Sequence, residues 1–549
     1  MVAAAIVMVP PIPIGVPALV SAGFTARGAY HIHSDRSDGS GSLDDIAAAA
    51  ARAGLDFIIV TDHGDGLRPP DAPQYRHGVL VIDAVELNTT NGHLVALGLP
   101  GTPYPFAGTA ADVLEDVDRL GGFAIAAHPD SPRPSLKWTA WDVPVDGLEW
   151  INADSEWRDE SAAGLARALV GYPFRAPGAM ASLFDRPDDL LKRWDEMGAA
   201  RSVPALAAAD AHARLGADDP DPSSLHVPLP GYETAFRAFS NHVVLDRALT
   251  GAGAADALAV LTSIRQGRTF TVIDAIATPG GLDFRVENAA QTVGQIGGVV
   301  NLEEAVTVRA RISGPPGTTL RILKNGAVVH ETREAELSVR AESGVYRVEA
   351  YTVGAPGTPP VPWLLSNPIY VGLPRGFRAI GGEVLRSRIP ARTQEAAIEK
   401  GVNDSSELVD AQAADARDRL LAGEPALGWR FALAPGIPAG QFAAVRLPVT
   451  GGLAAFERVR FTVTASAPMR AWLQLRAGEA TERWGKTFYA ETEPLIVELP
   501  LKAFLPIGVT SSAMPPLERI DSLLFVVDTL NSRPGASGAL AISDVAFVR

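Results

Sequence analysis

The 549 residues contain no cysteine. Disulfides, thiolate metal sites and a cysteine nucleophile are therefore excluded, and any metal must be held through nitrogen and oxygen. Positive charge is in deficit, with a formal net charge of −15. That argues against a general nucleic-acid-binding surface while leaving room for a local cationic pocket. Residues 1–22 carry no charge at all, so the basic start of a secretory signal is missing. Pro10, Pro11, Pro13 and Pro17 make this run a poor spanning helix. Two readings of it stand: the remnant of a signal or membrane anchor whose basic start lies upstream, or an extended arm packed on the fold. The first inclines the localisation toward periplasmic, secreted or membrane-anchored rather than cytoplasmic. Beyond residue 24 no transmembrane stretch and no internal repeat is visible, nor a Ser-His-Asp constellation or Gly-rich phosphate loop. What remains is ordinary globular composition, 47% hydrophobic and 20% charged, in a chain long enough for about three or four domains.

The chain is organised around YHIHSDRSDG, Tyr30 to Gly39. If Ala29–His33 is a strand, His31 and His33 leave the same face. Asp38 follows on a turn rich in Gly and Ser that folds it back toward them. Two imidazoles and a carboxylate converging on one point read as a metal site; a satisfied surface pair is the alternative. From Ala29 to about Ile273 apolar runs alternate with helical patterns, as in a β/α fold. Strands are expected at Ala29–His33, Phe57–Thr61, Val79–Glu86, His93–Leu99, Phe123–Ala127, Gly147–Asn152 and Pro204–Ala209. Ser42 should cap a helix running to Arg52, with Asp44 and Asp45 in its first turn and Gly54 past its end. Thr109 should begin another, with Leu114, Val117 and Leu120 at helical spacing. Seven strands with helices between them suggest barrel-like closure.

The apolar runs repeatedly end in a residue type that ligates metals. FIIV is followed by Thr61, Asp62 and His63, VLVIDAV by Glu86, GGFAIAA by His128, and ALAAA by Asp210 and His212. His93 opens HLVALGL after a turn at Asn91-Gly92. Singly, each has a plain explanation: His128 before Pro129 ends a strand, and Asp62 caps a loop. Together, six of the ten histidines fall at these places, and α/β barrels gather their strand ends on one face, where sites are built.

In order and residue type, HIHSDRSDG, IVTDHG, the Glu86/His93 pair, AAHPD and ADAH resemble the successive motifs of the polymerase-and-histidinol-phosphatase (PHP) superfamily of metallohydrolases. The resemblance covers about 25–275. It implies a distorted (β/α)7 barrel holding two or three divalent metal ions at its strand ends. Carried over position by position, the metal ligands would be His31, His33, Asp38, His63, Glu86, His93, His128, Asp210 and His212, with Asp62 orienting the cluster. The GHLVALGL hairpin and the long C-terminal region most resemble the branch that includes a carbaryl hydrolase, the CehA/McbA group. Nitrogen and carboxylate ligands suit Mn, Zn or Fe. Adjacent metals would yield hydroxide at neutral pH and neutralise charge building on a phosphoryl or acyl oxygen, with Asp38 or Glu86 bridging.

The expected activity is thus a metal-dependent hydrolase using metal-bound hydroxide, first of phosphoesters. A carbamate or carboxylic ester hydrolase with the same site comes second. A non-catalytic glycan-binding surface protein is third, although a structural metal needs only about four ligands. Asp38, Asp62, His128 and Arg36 form the candidate catalytic set, Arg36 and Arg133 being placed to grip an anionic substrate unless they are solvated loop charges. A long insertion, about Glu149 to Val203, should overhang the pocket through EWINADSEWRDE, and Trp138, Trp141, Trp150 and Trp157, clustered in and just before it, either wall the pocket or serve as core.

Near Pro279 the rhythm changes to short alternating strands, with a hairpin turn at Asn325-Gly326. An Ig-like β-sandwich is expected over 279–373, then a linker over 374–425 with a helix at Asp410–Leu421. A jelly-roll, galactose-binding-like domain should fill 426–549, where Trp472 or Trp484 would stack on carbohydrate or else lie in the core. All candidate ligands precede Leu215, so a chain ending near Ala277 should keep the site.

Overall fold

The computed structural model describes residues 9–19, 23–214, 229–302, 305–373, 386–388, 397–400, 405–409, 427–437, 441–478 and 482–549. They form two compact units, Met1–Pro100 with Thr109–Arg378, and Gly101–Gly108 with Ala379–Arg549.

In the first unit, strand Phe24–Tyr30 runs parallel to Phe57–Val60, which runs parallel to Val79–Asp83. A second sheet takes His63–Gly64, Val85–Thr89, Gly92–Leu97, Phe123–Ala126, Gly147–Asn152 and Ala205–Ala208 in that order. The last of these returns to the first strand, since Ala209 N donates to Tyr30 O at 2.9 Å and His33 N to Ala211 O at 3.0 Å. FIIV, FAIA and ALAA are buried along their whole length, as strands covered on both faces must be. Ile59, Ile82, Val95, Ile125 and Leu206 from these strands meet in one core.

The helix ends are where local chemistry puts them. Ser42 and Asp45 form a reciprocal capping box before helix Leu43–Ala53, and Gly54 closes it at φ 73°, a conformation that costs other residues. Thr109 caps helix Ala110–Arg119. The insertion is helical as well, over Ala153–Asp159, Ala162–Ala181 and Asp188–Ala200.

Several expectations are corrected. The first strand begins at Phe24 and ends at Tyr30, so the two histidines lie just past its carboxyl end rather than within it. The run Val79–Glu86 is divided at Ala84 between the two sheets. Two antiparallel strands, Ser240–Leu245 and Thr269–Val272, extend the first sheet beyond Phe24–Tyr30; their mixed polarity hid them in the sequence. Within the N-terminal run, Ile14–Gly15 pairs in parallel with Ala277–Thr278, which is the packed-arm arrangement. Among the described residues no helix is long and apolar enough to cross a membrane.

The expected boundary at 278/279 falls inside the first unit. Thr269–Val272 pairs with Leu364–Ser366, so the sheet runs on into the strands of 279–373. The Asn325-Gly326 hairpin is present, joining Thr319–Lys324 to Ala327–Thr332.

Among the described residues the second unit contains two six-stranded antiparallel sheets, packed over a core that includes Trp429, Phe461, Leu473, Trp484 and Phe525. Three segments of the expected linker are strands: Arg386–Arg388, Ala397–Lys400 and Ser405–Val409 pair with Ser537–Val548, Phe442–Pro448 and Leu427–Ala432. Short, charged segments at sheet margins carry little apolar alternation, which is why they read as linker. The expected helix Asp410–Leu421 lies outside the described residues. Trp484 is fully buried, its Nε1 donating to Ser512 O at 3.0 Å, and so offers no stacking face. Trp472 packs with Phe442, Ala444, Leu524 and Val526 on the opposite face of its sheet from the main core.

Candidate metal centre

The site gathers where the strands of the first unit end. His31, directly after strand Phe24–Tyr30, has φ 64°; His128, just beyond Phe123–Ala126, has φ 31°; Asp210, following Ala205–Ala208, has φ 43°. These left-handed conformations turn each side chain off its strand direction. Asp38 arrives on the turn after His33. Tyr232 Oη pins that turn, donating to His33 O at 2.8 Å and accepting from Ser40 N and Gly41 N at 3.1 Å. The turn passes so close to the strand end that a Cβ on Gly39 would lie 2.1 Å from His33 O.

Glu86 is the hub. Its Oε2 lies 3.2 Å from His31 Nε2, 3.3 Å from His33 Nε2 and 3.2 Å from His63 Nδ1. Its Oε1 lies 2.7 Å from His93 Nδ1 and 3.0 Å from His128 Nε2. Asp210 Oδ1 is 3.3 Å from His33 Nε2, and Asp38 Oδ2 is 3.2 Å from His212 Nε2. All nine residues expected as ligands therefore meet in one cluster. Three sets within it bring ligand atoms within 4.8 Å of one another: His33, Asp38, His63 and His212; His31, His33 and Glu86; His63, Glu86 and His93.

The ring nitrogens show what the cluster suits. Both nitrogens of His33 and Nδ1 of His63 are buried without a hydrogen bond of acceptable direction, although carboxylate oxygens stand 3.2–3.3 Å away. Buried polar groups are normally satisfied. Nitrogens and carboxylates close together but misaligned for each other fit divalent cations placed between them.

Electrostatics agrees. Burial alone would press these imidazoles toward their neutral forms, but the carboxylates outweigh it. Asp210, Glu149 and Glu86 hold His31 well above its ordinary range. Asp210 and Glu86 take His33 to about 10, and Glu86 takes His128 to about 9. Conversely, despite burial, the histidines hold Glu86, Asp210 and Asp38 far below the usual carboxylate range. Without metal His31, His33 and His128 are held as imidazolium among these carboxylates, so metal binding there releases protons and tightens as pH rises.

The Asp62 carboxylate is turned to the loop rather than to the cluster, while its backbone carbonyl accepts from Glu86 N at 3.2 Å. The carboxylate accepts from Ser34 N at 2.7 Å, Ser34 Oγ at 2.6 Å and Ser37 Oγ at 2.7 Å, and so holds the turn that carries Asp38. Arg36 is a correction: its guanidinium pairs with Asp71 and with Asp83, the latter at 3.4 Å, and it does not line the cavity. Arg133 does line it. Trp157 lines the cavity too, whereas Trp138 and Trp150 are core, and Trp141 lies under the Arg193 guanidinium.

Sequence reasoning missed Glu149. This fully buried carboxylate accepts from His128 N at 2.6 Å and from Asn152 Nδ2 at 2.9 Å, and stands 2.6 Å from His31 Nδ1. A partner on the second ring nitrogen fixes a ligating histidine's tautomer and orientation. Its one signal was a carboxylate set inside the apolar strand GLEWIN.

The helix that follows this strand carries Glu156 and Asp159, which gather with Asp130 and Asp185 into a second group of carboxylates. Glu156 is 5% exposed and accepts from Asp185 N at 3.0 Å. Burial, with Asp130, Asp159 and Asp185 nearby, pushes its carboxyl well above the usual range, and Asp159 is pushed to about 6. A raised folded pKa contributes stability below the unfolded value near 4.5, and that stability is lost as pH rises through the folded value. Glu156→Gln, which keeps the acceptor, is expected to raise the thermal midpoint at pH 8 by a few degrees and to lose that advantage near pH 4. Thermal scans at the two pH values check this; an equal shift at both would refute it.

No protein-family model matches the chain. An uncharacterized protein of Methanocaldococcus jannaschii is 31% identical over 111 residues, which cover 20% of this chain and 64% of that protein. Among solved structures, a Bacteroides vulgatus two-domain protein containing a predicted PHP-like metal-dependent phosphoesterase aligns over 61% of this chain and 93% of its own, at 14% identity and a TM-score of 0.30. A family 11 carbohydrate-binding module of a Clostridium thermocellum cellulosomal cellulase aligns over 30% of this chain and 95% of its own, at 12% identity and a TM-score of 0.24.

Proposed function

We propose that this chain is a metal-dependent hydrolase of phosphoesters, built on a distorted seven-stranded barrel of the PHP type. The observation that carries the reading is the set of buried, unsatisfied ring nitrogens of His33 and His63 facing Asp38, Glu86 and Asp210. The three overlapping ligand sets, sharing His33, His63 and Glu86, support two or three ions. Such ions supply a nucleophile at neutral pH and positive charge against the phosphoryl oxygens. The chain's own part is positional. Glu86 ties five imidazoles together, Glu149 orients His31, and Asp62 fixes the turn bearing Asp38. The return of Ala209–Ala211 to Tyr30–His33 supports the barrel closure.

Elemental analysis after stripping and reloading with Mn, Zn or Fe is expected to find two or three ions per chain, bound more weakly at pH 6 than at pH 8. The loaded protein should hydrolyse a phosphomonoester or phosphodiester in preference to a carboxylic or carbamate ester. One ion or fewer would end the multinuclear reading. Turnover of the carboxylic or carbamate esters alone would put that activity in its place.

A further inference from the structure

The cavity that holds the ligands extends well past them. It has a volume of about 440 Å³, with Asp38, His63, Glu86, His93, His128 and His212 at one end. Its other walls include Leu136, Leu165, Ala168, Leu169, Met180 and Leu183. Most of these belong to helix Ala162–Ala181 or the turn after it, within the insertion that precedes the last metal motif. Asp154, Arg158, Arg133 and Arg214 line the cavity as well, and the first two are engaged with each other. Arg158 Nε donates to Asp154 at 2.6 Å, and its guanidinium lies 4.5 Å from the centre of the Trp157 ring.

The apolar character continues to the outside. Leu169 lines the cavity and is 63% exposed, so it stands at the mouth. On the same helix Val170 is 44% and Phe174 71% exposed. Single exposed apolar side chains are common; three within one short stretch, beside a cavity whose far end is ionic, form a directed patch. A small, fully hydrated phosphoester would leave this wall wet, whereas an alkyl chain would dry it.

We propose that the cavity takes an amphiphilic phosphoester, a phosphorylated alcohol with an extended alkyl chain. The phosphate sits at the histidine–carboxylate end and the chain lies along Leu165, Ala168 and Leu169. The identity of the head group rests on the phosphoesterase reading above; the apolar wall concerns only the alcohol.

Calorimetric titration of the metal-loaded full chain with ethyl-, butyl-, hexyl- and octylphosphonate tests it without requiring turnover. The dissociation constant should fall about threefold per added methylene, somewhat less than full burial of each group would give. Leu169→Asp, at an exposed position that the fold tolerates, should cut the octyl-to-ethyl affinity ratio about tenfold. Leu165→Gln should cut it in the same direction. Equal affinity across the series, or no binding of any member, overturns the proposal. Phosphate release from octyl phosphate is measured in parallel. Chain-dependent phosphonate binding without phosphate release would leave the amphiphile site standing and remove the phosphoesterase reading. Release with a flat binding series would do the reverse.

Discussion

Glu86→Gln is expected to yield a folded chain that holds less than one metal ion and has lost roughly a thousandfold or more in turnover, on the order of 4 kcal/mol in the barrier. The amide preserves volume and hydrogen-bonding reach, so the strands around it need not move. It removes the single negative charge shared by His31, His33, His63, His93 and His128. It also turns one oxygen into an N–H donor facing ring nitrogens that need an acceptor or a cation. In the metal-free state His31, His33 and His128 answer by shedding protons more readily, since a partner that raised their pKa is gone. That limits the cost to folding. His128→Ala should lose activity in the same way through one imidazole, leaving Glu86 in place. Elemental analysis, circular dichroism and phosphoester turnover are read on the same preparations. Turnover near the parent level with unchanged metal content would remove the centre described here.

A chain cut after Ala277 is expected to be unfolded or insoluble, although it contains all nine candidate ligands. The cut strips strand Leu364–Ser366 from Thr269–Val272. It also removes Trp363, whose Nε1 donates to Ala277 O at 3.0 Å and whose carbonyl accepts from Ile273 N at 2.8 Å. Asn367 goes too. Its side chain accepts from Ala205 N at 2.7 Å and donates to Ala205 O at 2.8 Å, clamping the strand that leads to Asp210. A cut after Arg378 keeps all three, so solubility and metal retention should divide between the two lengths. Asn367→Ala in the full chain isolates the clamp. It takes partners from the buried N–H and carbonyl of Ala205, while Thr269 O keeps the backbone N of residue 367 at 3.0 Å, costing about 3 kcal/mol in urea unfolding. A soluble, metal-retaining 1–277 chain would show that residues 279–373 form a module of their own.

The site was legible because its determinants are local. A ligand at a strand end is announced by the apolar run before it, as with FIIV before His63 and GGFAIAA before His128, and helix caps such as Ser42 and Thr109 act over three residues. What sequence did not show depends on distant partners. Glu149 is polar within a strand, and only the fold reveals that His31 and the His128 amide face it. Arg36 sits in the organising motif, yet Asp71 and Asp83, far along the chain, decide where its guanidinium goes. The pairing of Thr269–Val272 with Leu364–Ser366 spans some ninety residues, and no periodicity registers it. The short margin strands of the second unit are defined by their neighbours rather than by their own composition.

Three of the candidate ligands, His31, His128 and Asp210, hold left-handed backbone conformations that each cost roughly 1 kcal/mol or more for a residue with a side chain. Against a net stability of about 5–15 kcal/mol for an ordinary domain, that is a substantial burden concentrated in one place. Glycine at any one of them would relieve that strain at a greater cost, because it would empty a buried space and leave Glu149, Glu86 or His33 without a charged partner. Strain in the backbone and charge in the side chains therefore hold one another in place, so the cluster cannot be relaxed one residue at a time.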